Sequence, residues 1–178
     1  MTDAERCPNP AGVIETLPEN CAVIFRDYRM PHREALAGQL ARLCRIRGVM
    51  FLVAGDARLA GRVGADGIHL PEWSLGGAQF SIRTPKKGLV TASAHNIHAL
   101  ARAALLGVDA VLLAPVFHNE SHPERPGLGI HRLQRLMAYS TLPVYALGGM
   151  TEATMKRLPP MDCLAGVAGI SLFMKKKT

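Results

Sequence analysis

The stretch GADGIHL at residues 64–70 decides the fold, because a glycine suited to ending a helix and an aspartate stand directly before a short apolar strand. The stretch GVDAVLL at residues 107–113 repeats this order, and its Asp109 lies 43 residues after Asp66. Residues 163–170 repeat it weakly, without the aspartate. A repeat that holds two strand–helix units is typical of a barrel of βα units. We interpret both aspartates as turn or capping residues, because they precede their strands at the end of such a barrel opposite the chemistry.

Seven short apolar runs alternate with helical patterns along the chain. None of the runs alternates cleanly between apolar and polar residues, which predicts strands that are covered on both faces, as in a parallel sheet. The runs are residues 21–26, 49–53, 67–70, 89–93, 110–117, 143–147 and 166–171. We therefore predict an α/β fold of the TIM (β/α)8 barrel type, forming one domain over residues 1–178. Because only seven runs are found, the barrel is expected to be shortened at the first strand and the last helix.

The helical patterns have recognisable ends. Residues 33–47 place leucines on one face and precede Gly48, a residue suited to the end of a helix. Asn96 can cap a helix that stops at Gly107, and Thr151 can cap another helix further along the chain.

Composition and charge exclude several classes of protein. The 178 residues are 48% hydrophobic and 20% charged, which is typical of one globular domain. A net charge of +7 is compatible with binding to nucleic acid. However, aromatic residues make up only 5% of the chain, so few side chains could stack on bases. A diffuse positive field also suits small phosphorylated ligands, so we expect those and no nucleic acid.

Targeting and redox signals point to the cytoplasm. No apolar run approaches the roughly 18 residues that a membrane span requires, so no membrane partner is expected. The first ten residues lack the basic and then apolar pattern of a signal peptide. The four cysteines are widely scattered without a C-x-x-C pair, which favours free thiols over a disulfide scaffold or a zinc site.

Glycines follow the last two predicted strands, where barrels of this type place phosphate groups. Gly148 and Gly149 lead from one strand into a helix, and Gly169 and Ser171 end the last run. Backbone N–H groups beside a helix start attract anions, so we predict a phosphate site there, with a simple tight turn as the alternative.

Other strand ends carry polar side chains. Arg26 either binds phosphate in bidentate fashion or pairs with Asp27 or Glu34. His95, which follows Ser93 closely, is a candidate general acid/base, because imidazole titrates near neutral pH; a structural histidine is the alternative.

A long polar loop, residues 118–129, follows the run at 110–117. It is either a lid over a phosphate site or a solvated connection. His118 and His122 stand four residues apart, but Pro123 argues against the helix that such a metal-binding pair needs, so we expect no metal there.

Several segments in this order resemble thiamine phosphate synthase and its relative TenI. The most specific are ADGIHL, APVF and ALGGMT, and the similarity spans about residues 23–171. The resemblance implies a barrel in thiamine biosynthesis that binds phosphorylated thiazole and pyrimidine molecules. The synthase is a transferase that joins hydroxymethylpyrimidine diphosphate to thiazole phosphate and releases diphosphate, whereas TenI-like members tautomerise the thiazole phosphate.

The resemblance also implies roles for individual residues, with His95 as the catalytic candidate. The substrate-binding positions that it implies are Arg26, Ser93, Asn119, Ser121, His122, Gly148, Gly149 and Ser171. In the synthase, the three loop positions among these usually hold two threonines and a lysine.

The departures from the synthase pattern concern positive charge and metal. Tyr28 replaces a lysine, Ala54-Gly55 replace an Asn-Asp pair, and Ser74 replaces a second carboxylate. A diphosphate leaving group develops charge that Mg²⁺ and lysine neutralise, so these losses should cost several kcal/mol of transition-state stabilisation. No metal ligand is predicted at these positions. Mg²⁺ is expected only if synthase activity is retained, with Asp56 or Glu72 as open replacements.

Three hypotheses follow from the sequence. The first, which we favour for the broad role, is a synthase-like protein with an altered metal site. The second is a TenI-like tautomerase that uses His95, and the third is a non-catalytic phosphate-binding or regulatory protein. A homo-oligomer is compatible with all three, because a shortened barrel exposes apolar edges that a second subunit could cover.

Overall fold

The computed structural model describes residues 1–76, 88–118 and 126–174. The candidates Asn119, Ser121 and His122 lie outside the described residues. So do the basic run at residues 83–87 and the lysines at residues 175–177.

The described residues contain seven strands and six α-helices in βα order, as the apolar runs predict. In chain order they are α1 (Pro10–Ile14), β1 (Ala22–Phe25), α2 (Arg33–Ile46), β2 (Met50–Ala54), α3 (Ala57–Val63), β3 (Gly67–Leu70), β4 (Leu89–Ala94), α4 (Ile97–Leu105), β5 (Ala110–Leu113), α5 (Gly129–Ala138), β6 (Val144–Leu147), α6 (Glu152–Met155) and β7 (Leu164–Ala168). A 3₁₀ turn, Glu72–Ser74, follows β3.

Two strand boundaries differ from the prediction. β5 ends at Leu113, four residues early, because Pro115 has no N–H with which to continue the ladder. β7 starts at Leu164, which lies opposite Val144 of β6, and ends at Ala168. Ser171 therefore lies beyond the last strand, and the prediction that it ends this strand is wrong.

The first of two compact units consists of Met1–His69 with short segments that include Leu89 and Val90. β1, β2 and β3 pair in parallel, with Ile24 opposite Leu52 and Val53 opposite Ile68. Its core contains the stacked rings of Phe25 and Phe51, whose centroids lie 6.1 Å apart. The amphipathic helix α2 buries residues spaced three or four apart, which are Ala37, Leu40, Ala41 and Cys44.

The residues before β1 contribute no strand in the part of the chain that the structure describes. Thr2 nevertheless lies beside β1, because its N–H donates to the carbonyl of Ile24 at 2.8 Å. The N–H of Ala4 donates to Asp27 at 2.7 Å. Thr2 thus lies where a first strand of the barrel would pair with β1.

Asp66 ties strands together at their amino ends. Its carboxylate accepts from the N–H of Phe51 at 2.8 Å, and its carbonyl accepts from Leu89 at 2.9 Å. Asp66 was predicted to be a turn or capping residue; its side chain caps no helix in the described residues and instead joins strands. The role of Asp109 stays a prediction, as does the single domain over residues 1–178.

The second unit consists mainly of Thr91–Leu172, together with a segment that starts at Leu70. β4 to β7 pair in parallel, with Ala92 opposite Val111 and Leu113 opposite Ala146. Its core is built from β5, β6 and α5 and includes Val111, Leu113, Val116, Leu133 and Val144. In the described residues no helix follows β7, as predicted.

All four cysteines are free, as predicted. Cys44 is buried, and burial together with the nearby carboxylate of Asp66 raises the pKa of its thiol to about 12. A thiol held in this way is inert at neutral pH. Among the described residues, no helix is both long and apolar enough to cross a membrane.

His69 of β3 is 1% exposed, and burial lowers the pKa of its imidazole to about 3, with the amino group of Met1 and Arg26 acting in the same direction. Below pH 6.5 the unfolded chain therefore binds a proton that the folded chain does not. We expect the free energy of unfolding to fall by up to about 1.4 kcal/mol per pH unit, or about 2 kcal/mol at pH 5.

Urea unfolding between pH 6 and 4.5 measures this dependence, because the buried amino group of Met1, with a pKa lowered to about 6, acts in the same direction at higher pH. His69→Asn should flatten it, whereas the control His98→Gln, at an exposed position on α4, should leave it unchanged. The same pH dependence in wild type and His69→Asn would assign the acid sensitivity to other groups.

Candidate functional site

A carboxylate–imidazole pair lies at the end of β4 in the second unit. His95 follows the strand directly, and its Nδ1 is hydrogen-bonded to Oε2 of Glu72. The other carboxylate oxygen, Oε1, accepts from Nδ2 of Asn96 at 3.2 Å. Glu72 thus contacts two consecutive residues that lie more than twenty positions further along the chain.

Local structure holds each member of this pair. The Oγ of buried Ser74 donates to the carbonyl of Pro71 at 2.7 Å and closes the 3₁₀ turn that carries Glu72. Asn96 caps α4 as predicted, because its Oδ1 accepts from the N–H of Ala99 at 2.9 Å. One asparagine therefore fixes the start of α4 with its oxygen and binds Glu72 with its nitrogen.

The pair is suited to proton transfer. A carboxylate only accepts hydrogen bonds, so the Nδ1 of His95 carries the proton and its Nε2 is left for another partner. The side chain of His95 is 41% exposed, so a small molecule can reach it. The sequence identified His95 but considered Glu72 only as a metal ligand.

The predicted glycine turn follows β6. Gly148 and Gly149 adopt φ values of +94° and +65°, which favour glycine. A Cβ at Gly148 would lie 2.9 Å from Cβ of Pro115, and one at Gly149 would lie 2.7 Å from Cβ of Phe117. Glycine is therefore needed for both the backbone conformation and the close packing against the segment after β5.

The N–H groups of Gly148 and Gly149 have no acceptor among the residues that the structure describes. The turn is fixed instead through its carbonyls, because Phe117 donates to Gly148 at 3.1 Å and Thr154 donates to Gly149 at 2.8 Å. Thr151 caps α6 as predicted, in a capping box with Thr154. This arrangement presents two amide donors to an anion.

The remaining candidates of the second unit are two serines, near the end of β4 and after β7. Ser93 lies in β4 and is half-buried. Ser171 is exposed and lies beyond β7. The nearby Gly169 is closely packed, because a Cβ added to it would lie 2.8 Å from Cβ of Leu172.

In the first unit, Arg26 is paired with a residue that the sequence did not indicate. Its Nη2 donates to Asp3 at 2.8 Å, and its side chain is 38% exposed. The predicted partners are engaged elsewhere, since Glu34 pairs with Arg62 and Asp27 accepts from Thr2. The expected pairing with Asp27 or Glu34 is therefore wrong.

Sequence reasoning missed Arg33, whose guanidinium lies at the carboxyl ends of β1 and β2. Its Nη2 donates to the carbonyl of Ala54 at 2.9 Å and its Nε to that of Asp27 at 3.1 Å. It also lies 5.3 Å from the ring centroid of Phe25. The available signal was a basic residue in the first turn of a helix, where the helix dipole disfavours it.

The comparisons with known proteins agree with this architecture. The family model described as thiamine monophosphate synthase matches residues 11–174. The chain belongs to this family. It is 33% identical to the putative thiamine-phosphate synthase 2 of Aquifex aeolicus, over 86% of this chain and 82% of that protein.

Other family members are longer. The chain is 34% identical to the thiamine-phosphate synthases of Methanoculleus marisnigri and Geobacillus kaustophilus, over 74% and 79% of its own length. It spans 64% and 62% of those two proteins, less than two thirds of each.

A solved family structure shows the fold. The thiamine phosphate pyrophosphorylase from Pyrococcus furiosus aligns with a TM-score of 0.73 and 21% identity, over 94% of this chain and 82% of that one. The predicted TIM-type barrel, shortened at the first strand and last helix, is therefore confirmed as the fold class.

The family implies Mg²⁺, and the carboxylates near the family's metal positions in the described residues are engaged by protein partners. Asp56 caps α3 through the N–H of Leu59 at 2.8 Å, and its other oxygen lies 3.5 Å from Nη1 of Arg33. Glu72 has both oxygens engaged, and Ser74 donates to Pro71. Among the described residues, no three His, Cys, Asp or Glu side chains are grouped to hold an ion. The guanidinium of Arg33 next to Asp56, the carboxylate between β2 and α3, would also repel a divalent cation.

Proposed function

We propose that the chain is a transferase of the thiamine-phosphate synthase type, which joins hydroxymethylpyrimidine diphosphate to thiazole phosphate. Family membership over residues 11–174 carries this proposal. In the reaction the ring nitrogen of the thiazole forms a bond to the methylene carbon of the pyrimidine. The bond from that carbon to oxygen breaks, and its electron pair leaves with the diphosphate.

The glycine turn supports a role in binding the thiazole phosphate. The amides of Gly148 and Gly149, which have no acceptor among the described residues, match the acceptor oxygens of a phosphate. The hydroxyl of Ser171 is proposed as a further donor. For the pyrimidine diphosphate we propose Arg26 and Ser93, together with the loop positions Asn119, Ser121 and His122; a diphosphate at Arg26 would compete with Asp3.

We further propose that transfer does not depend on Mg²⁺ held at the family's metal positions. The support is the donor set, since Asp56 and Glu72 are engaged by protein partners. Their carboxylates would have to leave these contacts before they could bind an ion.

Incubation of the full chain with both substrates tests the transferase, with thiamine phosphate and diphosphate as the measured products. We expect both products in MgCl₂ and, at a rate within about tenfold, in EDTA. Product formed only with Mg²⁺ would overturn the altered metal site. Binding of thiazole phosphate without any turnover would favour a non-catalytic protein and overturn the transferase.

The Glu72–His95 pair favours a second candidate, a tautomerase acting on thiazole phosphate. Such a reaction moves a proton between two carbon atoms of the substrate, and a positioned imidazole can accept it and return it. Deuterium incorporation from D₂O into thiazole phosphate, followed by NMR, measures this exchange. We expect His95→Gln to slow it by about 10²- to 10⁴-fold; an unchanged rate would exclude His95.

A further inference from the structure

We infer that Glu72 is the positioning residue for His95, holding its imidazole in the tautomer that leaves Nε2 free to exchange a proton with substrate. The inference rests on the proposed role of His95 in proton transfer. It assigns Glu72 a function that involves no metal.

The contacts of Glu72 account for both of its oxygens. Oε2 is bound to Nδ1 of His95, and Oε1 accepts from Nδ2 of Asn96. The carboxylate is less exposed than the imidazole, at 28% against 41% of the side chain. Both side chains are partly exposed, so the imidazole of His95 can be reached from solvent while its Nδ1 is bound to Glu72.

The carboxylate itself is held from two directions. The 3₁₀ turn that carries it is closed by the hydrogen bond from Ser74 to Pro71. Asn96, which binds its second oxygen, is fixed by capping α4. A hydrogen-bond acceptor supported on both sides restricts the ring orientation of His95 as well as its tautomer.

The chemistry follows from which nitrogen holds the proton. In a neutral imidazole, the hydrogen bond made by one nitrogen sets the protonation of the other. A carboxylate at Nδ1 requires the proton there, so Nε2 keeps its lone pair and acts as the base. Partners that orient metal-bound histidines in the same way lower activity by about ten- to hundredfold when they are lost, and we expect an effect of that size here.

Nitrogen-15 NMR of the full chain labelled at histidine tests the tautomer directly, at a pH where the imidazoles are neutral. We expect His95 to show a protonated Nδ1 in the wild type and to lose this signature in Glu72→Ala. Glu72→Gln should also lose it, because its single amide oxygen accepts from Nδ2 of Asn96, which is fixed by its cap, and its NH₂ group then donates to Nδ1. His98 on α4, three residues further along the chain, serves as the internal reference. An unchanged tautomer in Glu72→Ala would overturn the inference.

Kinetics of deuterium exchange into thiazole phosphate provide the second readout. Glu72→Ala should lower kcat about ten- to hundredfold and leave KM within about twofold, because the proposed phosphate donors lie on the glycine turn. Glu15→Ala, which removes an exposed carboxylate at the end of α1, should change neither value. An unchanged kcat in Glu72→Ala would contradict the positioning role.

The two readouts separate this inference from the proposed function. Wild type that neither transfers nor exchanges protons would overturn the proposed activities, while the tautomer spectrum would still decide whether Glu72 sets the state of His95. If Glu72→Ala fails to fold, Glu72→Gln decides. A retained Nδ1 proton in that variant would overturn the hydrogen-bond assignment.

Discussion

Gly67→Ala is expected to destabilise the first unit by about 3 kcal/mol or more. Gly67 begins β3, and a Cβ built on it would overlap the carbonyl of Leu89, with the carbonyl carbon 2.8 Å and the Cα 3.0 Å away. These are backbone atoms at the start of β4, and Leu89 is tied there by its hydrogen bond to Asp66. The methyl group can therefore be accommodated only if strands β3 and β4 move apart at this end.

Denaturant unfolding followed by circular dichroism measures this cost. Gly61→Ala is the matched control, since Gly61 lies in α3 of the same unit and an added Cβ there meets no atom within 4 Å. Alanine in a helix interior should stabilise by up to about 1 kcal/mol. The two identical substitutions should thus shift stability in opposite directions. A loss below about 1 kcal/mol for Gly67→Ala would contradict the close approach.

Local signals explain where the sequence predicted the elements well. β3 was predicted at its observed bounds, because Asp66 and Pro71 flank an unambiguous apolar run. The caps at Asn96 and Thr151 were also correct, since a cap depends on a side chain and an N–H only three residues apart.

Small residues left β7 poorly defined in the sequence. The run GVAGIS contains no boundary signal, and the true start at Leu164 is set by pairing with Val144 of a different strand. Strand ends of this kind depend on tertiary pairing, which a single local window does not contain.

In the candidate site, too, the sequence predicts features set by neighbouring residues and misses contacts between distant ones. His95 was predicted from its place after a strand, but its partner Glu72 lies 23 residues earlier, and no sequence period joins them. Likewise, the sequence places Arg33 at the start of α2 but does not show that its guanidinium donates to the carbonyl of Ala54, 21 residues away. Polar contacts across such separations follow from how strand ends are brought together, so only the structure reveals them.

Gly149→Ala is expected to weaken the binding of thiazole phosphate at least tenfold and to lower stability by about 2–4 kcal/mol. Two effects add at this position. A side chain at φ +65° costs about 1–2 kcal/mol, and its Cβ would lie 2.7 Å from Cβ of Phe117. The turn must shift to relieve the overlap, and that shift displaces the two amide donors that we propose for the phosphate.

Gly107→Ala separates these two effects. Gly107 follows α4 with a similar φ of +68°, but an added Cβ there meets no atom within 4 Å. It should cost only the backbone strain of about 1–2 kcal/mol and leave the affinity for thiazole phosphate unchanged. Calorimetric titration with thiazole phosphate measures both affinities, and urea unfolding measures both stabilities. Equal affinity in the two variants would show that the turn after β6 does not bind the phosphate. A weakened affinity in Gly149→Ala alone would show that the position of this turn against Phe117 controls binding.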